Sequence, residues 1–181
     1  MSRTDISNPV RALPRYSQDP SKTHWHQGIM TVRYLRGTRT WGINYRRGIG
    51  LELLACADSS YAGGTNDRRS VSGGAIMFGG GAVSWFSRTQ KTVAQSSSEA
   101  EYVAMGECVK ELLFVRNALY FMQPMYGIPS VYVLEDKKGA IDLAKNPLSS
   151  GKTKHIEVGH HFIRNLVADK EIAIFHVSSK H

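Results

Sequence analysis

The sequence predicts an α/β fold in which helices flank a five-stranded mixed sheet. Short apolar runs bounded by glycine and polar residues indicate strands, and longer segments with apolar residues three and four apart indicate helices. Their order is three strands, a long helix, a strand, two helices and a last strand. Strands separated by helices are usually parallel neighbours, whereas strands joined by short turns are antiparallel. The predicted sheet is therefore mixed, with helices packed on it.

The strands are predicted from their apolar runs. Residues 51–57 read LELLACA and end at Asp58. GGAIMFGG and AVSWFS follow as two strands joined by the glycine turn at 79–81, so an antiparallel meander is expected. The fourth strand, VYVLE, also ends at an acid, Asp136, and EIAIFHV is the last strand.

Residues 1–48 are predicted to be separate from the sheet domain, which we assign to residues 49–181. The segment SKTHWHQGIMTVRYLRGT has Ser21 as a helix cap and Gly37 as its end. Its apolar residues recur at helical spacing while two arginines lie off that stripe, so an amphipathic helix with a basic side is expected. The stripe consists of Trp25, Ile29, Val32 and Leu35, and the arginines are Arg33 and Arg36.

The composition indicates a basic globular protein. The 181 residues carry a formal net charge of +8, and 41% of them are hydrophobic. That hydrophobic fraction supports a packed core and excludes wholesale disorder. A basic domain of this kind often binds nucleic acid, and the alternative is a solvated basic surface.

The cysteines and the lengths of the apolar runs predict the cellular compartment of the protein. Cys56 and Cys108 lie in apolar runs and are expected to be buried free thiols. No disulfide framework is predicted, which fits a reducing environment. The amino-terminal residues lack the apolar core of a signal peptide, and no apolar run is long enough to span a bilayer. We therefore expect an intracellular, cytoplasmic protein with no membrane partner.

Two glutamates begin the long helix, which is predicted over about 98–120. On a helix, positions three and four apart share a face. The face that starts at Glu101 continues through apolar residues only, so Glu101 lies at the end of the core-facing stripe and Glu99 does not. The alternative is that each acid completes a capping box, Glu101 with Ser98 and Glu99 with Ser96. The stripe continues through Met105, Cys108, Leu112, Val115 and Leu119.

Three acids are candidates for one site. If the strands that end at Asp58 and Asp136 are parallel neighbours, both carboxylates emerge at the same sheet edge, where Glu101 could face them. Converging carboxylates raise one another's pKa, and a divalent cation removes that conflict. Magnesium prefers oxygen ligands, and two such ions support phosphodiester cleavage. The alternative is that both aspartates are ordinary strand-end residues.

Several long stretches carry a family resemblance. ADSSYAGGTNDRRSVSGG, AVSWFSRTQKTVAQSSSEAEYVA, VYVLEDKKGAIDLAKNP and TKHIEVGHHFIRN resemble the ribonuclease H domain of copia-type (Pseudoviridae) retrotransposon Pol polyproteins. Upstream, RYSQDPSKTHWHQGIMTVRYLRGT resembles the end of the reverse transcriptase that precedes this domain. The resemblance implies a ribonuclease H fold. It also implies magnesium-dependent cleavage, with manganese as an alternative, of the RNA strand of an RNA–DNA hybrid.

The resemblance also implies roles for particular residues. The catalytic, metal-binding carboxylates of the family fall on Asp58, Glu101 and Asp136. Basic residues around the site would contact phosphates, and serines at the start of the long helix would contact the minor groove. The alternative is that the basic residues are ordinary surface charges and that the serines only cap the helix. The expected nucleic-acid contacts are Arg68, Arg69, Lys91, Ser97, Ser98 and Lys154.

The sequence departs from the family pattern in several places. A fourth acid usually lies in an AD element on a final helix, and HVSSKH has no match to it, so we expect the last helix to be missing. Lys137 and Lys138 stand in EDKKGA where the family often has CDNQSA, and Ser60 stands where a second aspartate is common. The catalytic aspartates of the polymerase are absent, which excludes DNA synthesis by this chain.

Two functions therefore remain open at the level of sequence. One is a working nuclease that meets an RNA–DNA hybrid together with the rest of the Pol polyprotein, in the cytoplasm, a virus-like particle or the nucleus. The other is a decayed or repurposed module that binds nucleic acid or a partner without cutting. A zinc site at His155, His160 and His161 is not favoured, because no cysteine pair or tight ligand spacing accompanies them.

Overall fold

The computed structural model describes residues 3–45, 48, 50, 52–63, 68–127, 130–145 and 154–178, with only the backbone described at 126 and 154–160. The chain forms two compact units, Met1–Asn44 and Tyr45–His181. We predicted a boundary between residues 48 and 49. The assignment of the first unit to the end of a reverse transcriptase stays a prediction.

Among its described residues, the first unit contains two α-helices, α1 (Ser7–Ala12) and α2 (Lys22–Gly37). The predicted cap of α2 is confirmed, since Ser21 Oγ accepts a hydrogen bond from the backbone N–H of His24 at 3.3 Å. The predicted apolar stripe of α2 is only partly covered: Trp25 is 71% exposed and Val32 is 62% exposed, whereas Ile29 and Leu35 are half-buried.

The second unit is built on a five-stranded mixed sheet, as predicted. Its strands are β1 (Leu53–Ser60), β2 (Val71–Phe78), β3 (Gly81–Thr89), β4 (Val131–Glu135) and β5 (Ala173–His176). The strand order is β3-β2-β1-β4-β5. The first three strands form the expected antiparallel meander, while β1 pairs with β4 and β4 pairs with β5 in parallel.

Three helices accompany this sheet: α3 (Ser97–Met122), α4 (Lys138–Lys145) and α5 (Lys154–Ala168). The predicted core-facing stripe of α3 is confirmed, because Glu101, Met105, Cys108 and Leu112 are all buried. The stripe packs on inward-facing residues of the central strands, including Ala55 and Ile76.

Two details differ from the sequence-based expectation. Strand β1 runs on to Ser60, so Asp58 lies inside the strand and not just after it. Cys108 is buried as predicted, but Cys56 is exposed. Successive side chains of a strand point to opposite faces, so burial of Ala55 and Ala57 places Cys56 on the other face. None of the described helices has both the length and the hydropathy that a bilayer crossing requires.

Candidate metal centre

Asp58 and Asp136 lie at the same edge of the sheet because their strands run in parallel. Cys56 on β1 is opposite Leu134 on β4 in the register. Asp58 lies two residues after Cys56, and Asp136 lies two residues after Leu134, so the two carboxylates emerge side by side. Both residues are exposed. The parallel pairing of β1 and β4 therefore brings the two acids together, as predicted.

Glu101 completes the cluster from the first turns of α3. It is only 8% exposed, because it belongs to the stripe that packs on the sheet. One carboxylate oxygen from each of Asp58, Glu101 and Asp136 lies within 4.8 Å of the others. Three acids on three separate elements thus converge on one point at the carboxyl edge of β1 and β4.

Burial raises the pKa of Glu101 to about 7, and the nearby Asp58 and Asp136 carboxylates add to the rise. Ser59 lies beside Glu101 and offsets part of this rise. Ser59 Oγ and Glu101 Oε2 are both buried without a hydrogen-bond partner among the described residues. A buried carboxylate oxygen without a donor fits a cation as its partner.

Sequence reasoning missed a fourth acid at this edge. Glu135, the last residue of β4, is fully buried. Burial raises the pKa of Glu135 to about 8, and the neighbouring carboxylates of Glu101, Asp136 and Asp58 add to the rise. The hydrogen bond that Glu135 accepts from the Lys137 N–H offsets part of it. A signal was present in VYVLE: alternation places Glu135 on the same face as Val131 and Val133, which are buried.

The alternative capping roles of the two glutamates are resolved. Ser96 is the N-cap of α3, and its Oγ accepts a hydrogen bond from the Glu99 N–H at 3.2 Å. The Glu99 carboxylate reaches back to the Gln95 N–H at 2.7 Å, one residue before the capping-box position that we expected. Glu101 lies beyond the capping positions, so its place in the cluster is separate from the start of the helix.

The surroundings of Asp136 are basic. Lys137 and Lys138 are exposed and lead into the first turn of α4. His176, at the end of β5, has its Nε2 at 3.1 Å from the backbone oxygen of Asp136, so its Nε2–H tautomer donates a hydrogen bond there. Asp136 is therefore held by its backbone while its carboxylate stays free to bind a ligand.

The predicted nucleic-acid contacts are dispersed around this edge. Arg68, Arg69 and Lys91 are exposed, and Ser97 and Ser98 lie half-buried in the first turn of α3. The side chain of Lys154 lies outside the described part of the chain. Contact of these residues with nucleic acid stays a prediction.

The cluster fits a divalent cation. Asp58, Glu101 and Asp136 offer hard oxygen ligands of the kind that magnesium and manganese bind. Glu101 Oε2 is buried without a hydrogen-bond donor among the described residues, so a bound cation would supply the partner that it lacks. Mutual repulsion of these acids is relieved when a cation binds.

The chain was compared with known proteins. It is 37% identical over 179 residues to the retrovirus-related Pol polyprotein from transposon TNT 1-94 of Nicotiana tabacum, a match that covers 98% of this chain and 13% of that polyprotein. It is 37% identical over 115 residues to the secreted RxLR effector protein 161 of Plasmopara viticola, covering 64% of this chain and 81% of that protein. No protein-family model matches the chain.

The fold has counterparts among solved structures. LC11-RNase H1, isolated from compost, superposes with a TM-score of 0.53 at 14% identity, over 72% of this chain and 87% of that one. At that identity the likeness concerns the fold alone. The predicted resemblance and the predicted fold class are both confirmed. The chain is therefore homologous over 98% of its length to a segment of copia-type retrotransposon Pol polyproteins, and it spans about an eighth of the length of those relatives. The unit that carries the three carboxylates has the ribonuclease H fold.

Proposed function

We propose that this chain is the ribonuclease H domain of a retrotransposon Pol polyprotein and that it cleaves the RNA strand of RNA–DNA hybrids with bound magnesium or manganese. One observation carries the proposal. Oxygens of Asp58, Glu101 and Asp136 lie within 4.8 Å of one another at the edge of a sheet with the ribonuclease H fold. Such a cluster suits cation-dependent chemistry on a phosphodiester.

The three acids differ in what they contribute. Asp58 and Asp136 are exposed, so their carboxylates are accessible to a phosphodiester that approaches from solvent. Glu101 is nearly buried and would hold the cation against the protein. When bound, a divalent cation supplies Lewis acidity and positive charge for hydrolysis of the phosphodiester. The residues of the chain hold that charge at a fixed place beside the scissile phosphate.

The basic residues around the site would hold the duplex. Exposed Arg68, Arg69 and Lys91 are suited to phosphates, which position a duplex without reading its sequence. Ser97 and Ser98 would offer hydroxyl groups to the minor groove and to 2′-hydroxyls, which distinguish RNA from DNA. The rest of the Pol polyprotein would act with this domain, in the cytoplasm or in a virus-like particle.

A second candidate function is binding without cleavage. Two observations favour it. Lys137 and Lys138 are exposed and directly follow Asp136, so their ammonium groups would compete with a cation for its carboxylate. The relative from Plasmopara viticola, 81% of which is covered by the match, is named as a secreted RxLR effector protein. A non-cutting module would keep salt-sensitive binding of nucleic acid without any need for the carboxylates.

A cleavage assay with matched variants tests the proposal. The chain is incubated with an end-labelled RNA–DNA hybrid in magnesium, manganese or chelator, beside Glu101→Gln and Glu99→Gln. Both substitutions remove one charge from the same helix, but Gln at 99 keeps an acceptor for the Gln95 N–H. We expect cation-dependent cleavage of the RNA strand that is lost in Glu101→Gln and kept in Glu99→Gln. Hybrid binding without cleavage by the unmodified chain would support the second candidate instead.

A further inference from the structure

Gln90 is a buried amide that connects β2 of the sheet to the first turn of α3, close to the site. It directly follows β3 and is only 1% exposed. Its backbone N–H donates to the Ser70 carbonyl at 2.9 Å, which fixes the residue beside the start of β2. Its side-chain Nε2 donates both to Ser72 Oγ at 3.1 Å and to the backbone oxygen of Ala100 at 2.8 Å.

These two acceptors stand next to two of the site carboxylates. Ser72 is opposite Ser59 in the antiparallel register of β1 and β2, and Ser59 follows Asp58 directly. Ala100 lies in the first turn of α3 and directly precedes Glu101. The Gln90 amide therefore spans the gap between the strand ladder that carries Asp58 and the helix turn that carries Glu101.

The caps of α3 do not provide this connection. Ser96 and Glu99 satisfy backbone N–H groups within the first turn and the residues just before it. Such local bonds start a helix, but they leave its rotation and tilt on the sheet undetermined. The bond from Gln90 to the Ala100 carbonyl is made across the packing interface, so it fixes the turn relative to the sheet.

The amide orientation follows from its partners. The Ala100 carbonyl can only accept, so the group that faces it must be the Nε2 donor. Oε1 of Gln90 is then buried without a partner among the described residues. A buried oxygen without a donor is unfavourable, and an apolar side chain of the same size would avoid it. Packing alone therefore does not account for an amide at this position.

We propose that Gln90 is a positioning residue, which holds Glu101 at the distance from Asp58 and Asp136 that a divalent cation requires by anchoring the first turn of α3 to the sheet. The inference rests on the metal site of the proposed function. It concerns geometry and not proton transfer, since an amide does not titrate. Groups that orient metal ligands in this way typically change metal affinity ten- to a hundredfold when they are removed.

The test compares Gln90→Met with core variants of matched stability. Met has nearly the same length as Gln but cannot donate a hydrogen bond. Ile174→Val and Ile174→Ala shorten a buried side chain of β5, the edge strand that β4 separates from β1, and bracket the loss of stability. Three kinds of measurement are made on the full chain. Calorimetry gives the Mn²⁺ affinity, a labelled hybrid gives kcat and KM, and hydrogen exchange reports on residues 97–104.

We expect Gln90→Met to weaken Mn²⁺ binding by about tenfold, to lower kcat with little change in KM, and to speed exchange in the first turn of α3. The Ile174 variant with the same melting temperature is expected to leave all three unchanged. Unaltered Mn²⁺ affinity and unaltered exchange in Gln90→Met would overturn the inference.

The outcome is separable from that of the proposed function. If the unmodified chain neither binds Mn²⁺ nor cleaves a hybrid, the metal-dependent function fails. Exchange in residues 97–104 then decides the anchoring role of Gln90 by itself. Faster exchange in Gln90→Met than in the matched Ile174 variant supports it, and equal exchange refutes it.

Discussion

Glu135 Oε1 accepts a hydrogen bond from the backbone N–H of Lys137 at 3.1 Å. The bond fixes the fully buried carboxyl of Glu135 and closes a short turn around Asp136, the residue between them. The second oxygen of Glu135, Oε2, is buried without a partner among the described residues. The site edge thus contains a fourth carboxyl, which supports the turn that carries Asp136. Its charge state affects both the stability of the domain and the electrostatics of the site.

The metal-free domain is expected to lose stability as the pH rises from below 4.5 to about 8. Burial raises the pKa of Glu101 from 4.5 to about 7 and that of Glu135 from 4.5 to about 8. The folded state therefore holds these protons more tightly than the unfolded state. The corresponding stabilisation is fully present below the unfolded value and is lost as the pH rises through the folded values.

Glu135→Gln should remove much of this pH dependence. Gln keeps an acceptor for the Lys137 N–H but never acquires a buried charge. At pH 8, in chelator, the variant is expected to have a free energy of unfolding about 2 kcal/mol higher than the unmodified chain. At pH 5 the two should be nearly equal. Urea unfolding at both pH values measures this, and a variant that is less stable at pH 8 would contradict it.

Divalent cations should stabilise the folded domain at neutral pH. The three carboxylates bind a cation only when the fold brings them together, so binding shifts the folding equilibrium. At a cation concentration about a hundred times Kd, the stabilisation is about 2.7 kcal/mol. This corresponds to a rise in Tm of about 5 °C or more. Thermal melts with magnesium, manganese or excess chelator measure the shift.

Two matched variants serve as controls for this cation effect. Glu101→Gln removes a ligand of the cluster and should abolish most of the rise in Tm. Glu99→Gln changes the same charge on the same helix outside the cluster and should keep it. An equal rise in both variants would indicate that the cation acts elsewhere on the protein.

The contact between α3 and α4 should control the spacing of Glu101 and Asp136. Gly139, in the first turn of α4, lies so close to Ser98 that an added Cβ would be 2.5 Å from Ser98 Oγ. Gly139→Ala is therefore expected to push the two helix starts apart and to lower Mn²⁺ affinity about tenfold.

The double variant Gly139→Ala with Ser98→Gly tests the steric cause. Removal of the Ser98 side chain leaves room for the new methyl group, so most of the Mn²⁺ affinity should return. Calorimetric titration of the two single variants and the double variant gives the coupling between the two positions. Failure of the second change to restore affinity would show that the first acts through another contact.

Gly74 should tolerate no side chain, whereas the neighbouring Gly73 should accept a methyl group. An added Cβ at Gly74 would overlap the Phe86 ring and lie 3.0 Å from Cys108 Sγ, so it would disturb the packing of α3 on β2. Gly74→Ala is expected to destabilise the domain by about 2 kcal/mol. At Gly73 the new atom would be 3.7 Å from the Asp58 carbonyl, an ordinary contact. Gly73→Ala is thus a matched control with near-normal stability in urea unfolding.

Local periodicity was sufficient to predict the elements and the acid on α3. The spacing of apolar residues gave the order of strands and helices, and the stripe that starts at Glu101 distinguished it from Glu99, which caps the helix. These properties depend on residues within a few turns of one another. The sequence could therefore determine them without knowledge of the rest of the molecule.

Only the tertiary structure decided how the distant parts meet. The parallel register of β1 and β4 places Asp58 beside Asp136, the cover of helices makes Glu135 a buried acid, and the closure of α3 on the sheet gives the Gln90 amide its two acceptors. The same alternation that buries its neighbours leaves Cys56 exposed, contrary to expectation. Register and burial depend on pairing between segments far apart in the chain, and no local pattern of residues contains that information.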